Sequence, residues 1–269
     1  QLKDNAKIAL LGSKPIVLDE FPNLKGIFRA GIGRDNIPEE EAKKRNILVR
    51  FPSQKTIGII FDETASFTCS LIFRMIYSSL GTIDPWIKYS RREFSSKTLL
   101  VIGKGNIGSR VIKTMKHFMN VVGFDPAITV ERAWQLSSSI ESANTVDELL
   151  AKSDFVTIHV PFNEGTKDLI NAHRINTMND NAIILNFSRN GIVNDEDVVA
   201  ALDEGKLYAY ICDFPSNLLK NHPRVITLPH LGASTAEAEE NCAIMIADQL
   251  QDFLENGNIK NSVNFPKVK

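Results

Sequence analysis

Short runs of branched apolar residues alternate with segments whose apolar positions recur every three or four residues. In the middle of the chain this alternation is regular. Residues 98–103 (TLLVIG) read as a buried strand, and 106–118 as a helix with Ile107, Val111, Ile112, Met115 and Phe118 on one face. Strands follow at 121–125, 155–160 (FVTIHV), 182–188 (AIILNFS), 207–214 and 225–229, with helices at 146–152 and 195–204, the latter ended by Gly205. Parallel strands need crossover connections, so the pattern predicts an α/β fold with a doubly wound parallel sheet. The two ends differ. Residues 5–12 and 24–30 look like strands of a smaller unit. Residues 61–79 form a long helix with few charges, whose Ala65, Cys69, Ile72, Phe73 and Ile76 cover much of its circumference. Such a helix is buried inside the protein or in a subunit interface. A last helix runs from about Thr235 to Asn256, with Cys242, Ile246, Leu250 and Phe253 as its stripe and Gly257 as its stop.

Composition narrows the class. With 43% hydrophobic and 23% charged residues the chain is globular rather than disordered, and 269 residues suggest one large or two modest domains. A net charge of −1 gives no global attraction to nucleic acid or to an acidic membrane surface, so neither partner is expected. The three cysteines (Cys69, Cys212, Cys242) lie far apart. They fit a reducing compartment, and neither a disulfide framework nor a metal site is expected from them. The first residues carry no apolar signal segment, and no apolar run is long enough to span a membrane. A cytoplasmic protein is the expectation.

Three motifs carry chemistry. Gly103-Lys104-Gly105-Asn106-Ile107-Gly108 ends a predicted strand and opens a predicted helix, the context a dinucleotide-binding loop requires. Gly103 permits the tight turn, Gly105 lets backbone approach a pyrophosphate, and Gly108 lets the helix pack closely on the sheet. Asp125 lies 22 residues after Gly103, at the end of the next strand. A carboxylate there accepts hydrogen bonds from ribose hydroxyls and repels a 2′-phosphate, which favours NAD over NADP. A structural glycine turn with a surface Asp is the plainer alternative. The second motif, Asn186-Phe187-Ser188-Arg189-Asn190-Gly191, puts Arg189 at the carboxyl end of a strand, where its guanidinium can grip a carboxylate through two parallel hydrogen bonds or simply cap a loop. The third, residues 228–235 (LPHLGAST), sets His230 on a tight loop, where an imidazole can act as general acid or base. Ser234 or Thr235 there could cap the last helix. The other four histidines read as packing or capping residues.

Together these residues resemble the D-isomer-specific 2-hydroxyacid dehydrogenase family. The resemblance runs from about Asn5 to Phe265. It rests on residues 29–37 (RAGIGRDNI), the glycine loop with Asp125, residues 159–161 (HVP), 186–189 and 229–235. Residues 237–241 (EAEEN) and 262–266 (SVNFP) resemble the phosphoglycerate-oxidising branch. The resemblance implies a Rossmann NAD-binding domain at 59–232. It also implies a flavodoxin-like substrate domain at 1–58 that is rejoined at 233–269 and whose first strand-helix unit lies outside the sequence. It implies NAD as cofactor, with Asn106 and Ile107 on the pyrophosphate and Asp125 on the ribose. Pro161, Phe187, Ser188, Gly232 and Ala233 would lie on the nicotinamide side. Asp213 would contact the nicotinamide, with Cys212 as the alternative under a one-residue shift. Arg189 would bind the substrate carboxylate and His230 would take the hydroxyl proton. Ser13, Lys14, Gly31, Ile32 and Gly33 would face the substrate, Lys14 as partner of a phosphate or as a solvated surface lysine.

The activity so implied is oxidation of a small phosphorylated hydroxyacid, 3-phospho-D-glycerate to 3-phosphohydroxypyruvate in serine synthesis, by a homodimer. Another D-2-hydroxyacid is the alternative substrate, and a non-catalytic NAD-binding sensor or scaffold is the alternative of another class. Asn217 stands where the family has a glutamate that bonds the histidine. Its amide can orient the ring but brings no charge. Asn190 and Asn194 replace a usual glycine and a common aspartate.

Overall fold

The computed structural model describes residues 2–31, 33–52, 54–77, 82–88, 93–127 and 145–264. The chain divides into two compact units, Gln1–Ile60 with Ser234–Lys269, and Phe61–Ala233.

The smaller unit opens with a helical turn α1 (Leu2–Asn5), which shortens the strand predicted at 5–12 to β1 (Ile8–Leu11). After β1 come β2 (Gly26–Arg29), helix α2 (Glu39–Lys44) and β3 (Leu48–Arg50), and the three strands form a parallel sheet in the order β1-β2-β3. The last helix (Ala236–Asn256; α8 below) belongs to this unit and stacks Phe253 on Phe28 of β2, with ring centroids 5.8 Å apart. Arg50 is buried beside them. Its guanidinium lies 5.5 Å from the Phe28 ring and donates to the carbonyls of Gln249 (2.9 Å) and Asn258 (2.8 Å), which ties β3 to the end of the helix. Gly257 closes that helix in the left-handed conformation (φ 66°).

Helix α3 (Gln54–Ile76) starts earlier than the predicted 61. Gly58 does not break it, because a mid-helix glycine costs only about 1 kcal/mol relative to alanine. Ala65, Cys69 and Ile72 of α3 join the core of the larger unit, while Ile59 of the same helix is 42% exposed. The predicted end at Ser79 lies outside the described residues.

The larger unit contains β4 (Thr98–Ile102), α4 (Asn106–Met115), β5 (Asn120–Phe124), α5 (Val146–Leu150) and β6 (Phe155–Ile158). The chain continues through α6 (Ala172–Thr177), β7 (Ala182–Asn186), α7 (Asp195–Asp203), β8 (Leu207–Cys212) and β9 (Val225–Thr227). All six strands are parallel, in the order β5-β4-β6-β7-β8-β9. Alternate residues of one strand enter different cores. Leu100 and Ile102 pack with α5 to α7, while Leu99 and Val101 pack with α3 and α4. Burial on both faces is why these strands read as continuous apolar runs.

Strand order reverses between β4 and β6, and in such sheets ligands bind at the carboxyl ends of the strands flanking the reversal. Helix α4 stops at Met115 rather than Phe118, which is 47% exposed and packs edge-on against Phe73. Strands β8 and β9 end two residues before the predicted limits. Asn194 caps α7 by accepting from Asp197 N–H (3.2 Å) and donates to Asp168 Oδ1 (3.3 Å), a pair of bonds an ionised aspartate could not make. Thr235, rather than Ser234, caps α8 through Ala238 N–H (3.1 Å).

Candidate active site

The glycine loop leaves β4 through Gly103, whose φ of 93° lies in the region that favours glycine. A Cβ at Gly103 would press on the His159 carbonyl, and one at Gly108 would fall far inside contact with the Gly103 carbonyl oxygen. Gly105 is the N-cap of α4, and no side chain caps this helix end. Its first N–H groups, from Asn106 onward, are therefore suited to a phosphate. Asp125 follows β5. Its Oδ2 accepts from Lys104 N–H (2.7 Å) and its Oδ1 from Ala127 N–H (3.0 Å), so the carboxylate is fixed at the strand end. An uncapped helix start, a glycine cradle and a fixed carboxylate fit a dinucleotide.

Lys104 is only 8% exposed, and its side chain lies against Gly123 of β5. Burial lowers its pKa and the charge of Asp125 acts to raise it. The sequence signal for this packing was the glycine inside the strand Asn120–Phe124 (NVVGF), which marks a close approach. Burial also pushes the His159 imidazole down to about 3, so the ring is neutral, with Nε2 3.0 Å from Thr157 Oγ1.

Arg189 is mounted on a turn after β7. Asn186 Nδ2 donates to the Arg189 carbonyl (2.9 Å), and Asn186 Oδ1 accepts from Ser188 N–H (3.0 Å). The Phe187 ring is buried against Phe67, and Ser188 Oγ donates to the Ile158 carbonyl (2.7 Å), so both side chains turn inward. Arg189 Nη1 donates to the Ser188 carbonyl (2.7 Å), and its guanidinium lies 5.4 Å from the centre of the Phe214 ring. Asn190 Oδ1 accepts from Gly191 N–H (2.9 Å), which steadies the turn. Pro161 is exposed at the carboxyl end of β6.

His230 has a left-handed backbone (φ 57°) and an exposed ring whose centre lies 4.5 Å from that of Phe214. Arg189 and His230 thus meet on one aromatic ring. The His230 loop is held by Asp213, which is buried. The Asp213 carbonyl accepts from His230 N–H (3.2 Å), Oδ1 from Leu231 N–H (2.7 Å) and Oδ2 from Gly232 N–H (3.0 Å). Gly232 packs against Thr64 of α3, and Ala233 is half-buried beside it. Burial pushes the neighbouring Cys212 thiol up to about 12. An Asp213→Asn substitution would set an amide NH2 against one of the two loop N–H groups. The expected result is a loss of about 1–3 kcal/mol in urea unfolding, and an unchanged midpoint would contradict this clamp.

Asn217 is exposed in the loop after β8, where its Oδ1 accepts from Lys220 Nζ (2.9 Å). In the smaller unit Ser13 and Lys14 are exposed, and Asn36 Nδ2 fixes their loop by donating to the carbonyls of Gly12 (2.9 Å) and Lys14 (3.1 Å). Gly31 (φ 144°) packs under the Arg29 guanidinium, Gly33 is half-buried, and Ile32 lies outside the described residues. Phe214, Lys104 and the Asn186 side chain are the site features that sequence reasoning passed over. Among the described residues no helix is long and apolar enough to cross a membrane.

The family model "D-isomer specific 2-hydroxyacid dehydrogenase, NAD binding domain" matches residues 82–232, so NAD is the cofactor of the larger unit. The chain is 35% identical to the D-3-phosphoglycerate dehydrogenase of Methanocaldococcus jannaschii, over 94% of this chain and 50% of that protein. It is 33% identical to the glyoxylate reductase of Thermofilum pendens, over 87% of this chain and 73% of that protein. The crystal structure of the NAD-bound 3-phosphoglycerate dehydrogenase of Entamoeba histolytica superposes with a TM-score of 0.75 at 27% identity, covering 98% of this chain and 84% of that one. The chain spans about half the length of the phosphoglycerate dehydrogenases it matches. With the larger unit matched almost throughout and the glyoxylate reductase covered over most of its length, the chain belongs to the D-isomer specific 2-hydroxyacid dehydrogenase family.

Proposed function

We propose that the protein oxidises a D-2-hydroxyacid to the 2-oxoacid and catalyses the reverse reduction, with 3-phospho-D-glycerate as its substrate. The observation that carries this reading is the meeting of Arg189 and His230 on the Phe214 ring, in the unit that holds the glycine loop and Asp125. A guanidinium there can bind the substrate carboxylate through two parallel hydrogen bonds. The His230 imidazole then accepts the hydroxyl proton as the carbonyl forms, and in reduction its protonated form returns that proton to the carbonyl oxygen. NAD, when bound, supplies the acceptor for the hydrogen that leaves the substrate carbon with its electron pair. Asn106, Ile107 and Gly108 would hold its pyrophosphate and Asp125 its ribose, while Asp213 acts by holding the histidine loop.

The similarity to phosphoglycerate dehydrogenases supports the phosphorylated substrate. The similarity to a glyoxylate reductase supports a second reading, a reductase of a smaller 2-oxoacid. NADH consumption would be followed with 3-phosphohydroxypyruvate, hydroxypyruvate, glyoxylate and pyruvate. The highest kcat/KM is expected for the phosphorylated compound. A higher value with glyoxylate would favour the second reading. NADH binding without turnover of any 2-oxoacid would leave a non-catalytic NAD-binding protein.

A further inference from the structure

Asn186 connects the loop that carries Arg189 to the loop that carries His230. It is the last residue of β7 and only 2% exposed. One end of its amide donates to the Arg189 carbonyl and the other accepts from Ser188 N–H, which closes the turn beneath the guanidinium. The same Nδ2 lies 3.5 Å from the hydroxyl of buried Tyr210, so the amide has support from below. Its main-chain carbonyl accepts from Asp213 N–H (3.1 Å), and Asp213 holds the N–H groups of His230, Leu231 and Gly232. One residue thus reaches the Arg189 turn through its side chain and the His230 loop through its backbone. At this side-chain length an amide sets an acceptor and a donor on separate atoms whatever the pH. Serine is too short to serve both partners, and an ionised aspartate can only accept.

We infer that Asn186 is a positioning residue for the proposed reaction, setting the spacing between the group that binds the substrate carboxylate and the group that moves the proton. The inference rests on the dehydrogenase reading above.

The test is Asn186→Asp, assayed by reduction of the preferred 2-oxoacid across pH and expressed as the ratio of variant to wild-type kcat/KM at each pH. When protonated, the new carboxyl restores a donor toward the Arg189 carbonyl. When ionised, it turns a lone pair toward that carbonyl instead. The ratio is therefore expected to fall with rising pH, by about tenfold or more, the size of one lost hydrogen bond. A ratio that stays flat across pH would overturn the inference, as would a fall that merely tracks loss of folded variant, followed by circular dichroism across the same pH range, since ionising a buried carboxyl also destabilises the fold.

Should Asn186→Asp fail to fold, Asn186→Ala carries the test. Its 2-oxoacid KM is then expected to rise at least tenfold while the midpoint of NADH binding moves less than threefold, and equal movement of both would overturn the inference. A wild-type protein that turns over no 2-oxoacid would overturn the dehydrogenase reading and the inference with it. An active wild type with a flat ratio overturns the inference alone.

Discussion

Replacing His230 with glutamine is expected to lower kcat for 2-oxoacid reduction by roughly 10²–10⁴-fold, the range for loss of a general acid-base group. Glutamine keeps the approximate size and a hydrogen-bond donor. It does not titrate near neutrality, so it cannot carry the proton between substrate and solvent. The reason to expect a full effect is how firmly the imidazole is held. Its backbone sits at φ 57° between a proline and the Asp213 clamp, and its ring rests on Phe214. In a loop so constrained, another group cannot easily swing into the same place. Steady-state kinetics on the preferred 2-oxoacid check this, and a fall of less than tenfold would remove His230 from the proton-transfer role.

The second large effect is expected from a single methyl group. Gly108→Ala would place a Cβ far inside contact with the Gly103 carbonyl oxygen, and its next neighbour is the Val101 side chain of β4. Both partners are firm: one is backbone in the turn that leaves the strand, the other belongs to a fully buried strand residue. Relief requires α4 to move off the sheet, and α4 is the helix whose uncapped start would meet the pyrophosphate. The expected outcome is overpacking worth about 3 kcal/mol in urea unfolding together with weakened NADH binding, read from the NADH fluorescence titration. A variant with wild-type stability and NADH affinity would mean that the close approach of helix and strand is not needed.

Much of this was legible in the sequence, for reasons that differ from element to element. The strands of the larger sheet were readable because burial on both faces leaves little room for polar residues, as in TLLVI and AIILN. The dinucleotide loop was readable because its glycines answer to steric limits that act locally. Arg189 and His230 stood out because each follows a strand on a tight turn. What escaped is set by contacts between distant residues. Leu48–Arg50 is too short to show a period, and Arg50 at its end is buried only because Phe28, Gln249 and Asn258 surround it. The hold of Asp213 on Leu231 and Gly232 likewise joins residues 18 and 19 positions apart.

Phe214 has a consequence beyond its part in the core of the site. It bears no group that could bind or exchange a proton, yet Arg189 and His230 both lie on its ring. Residues that share a packing partner are energetically coupled, so the effects of altering them do not add. On the proposed reading, the carboxylate grip and the proton relay are therefore not separable parts in which one can drift while the other stays. A side chain that performs neither task sets the terms on which both can vary.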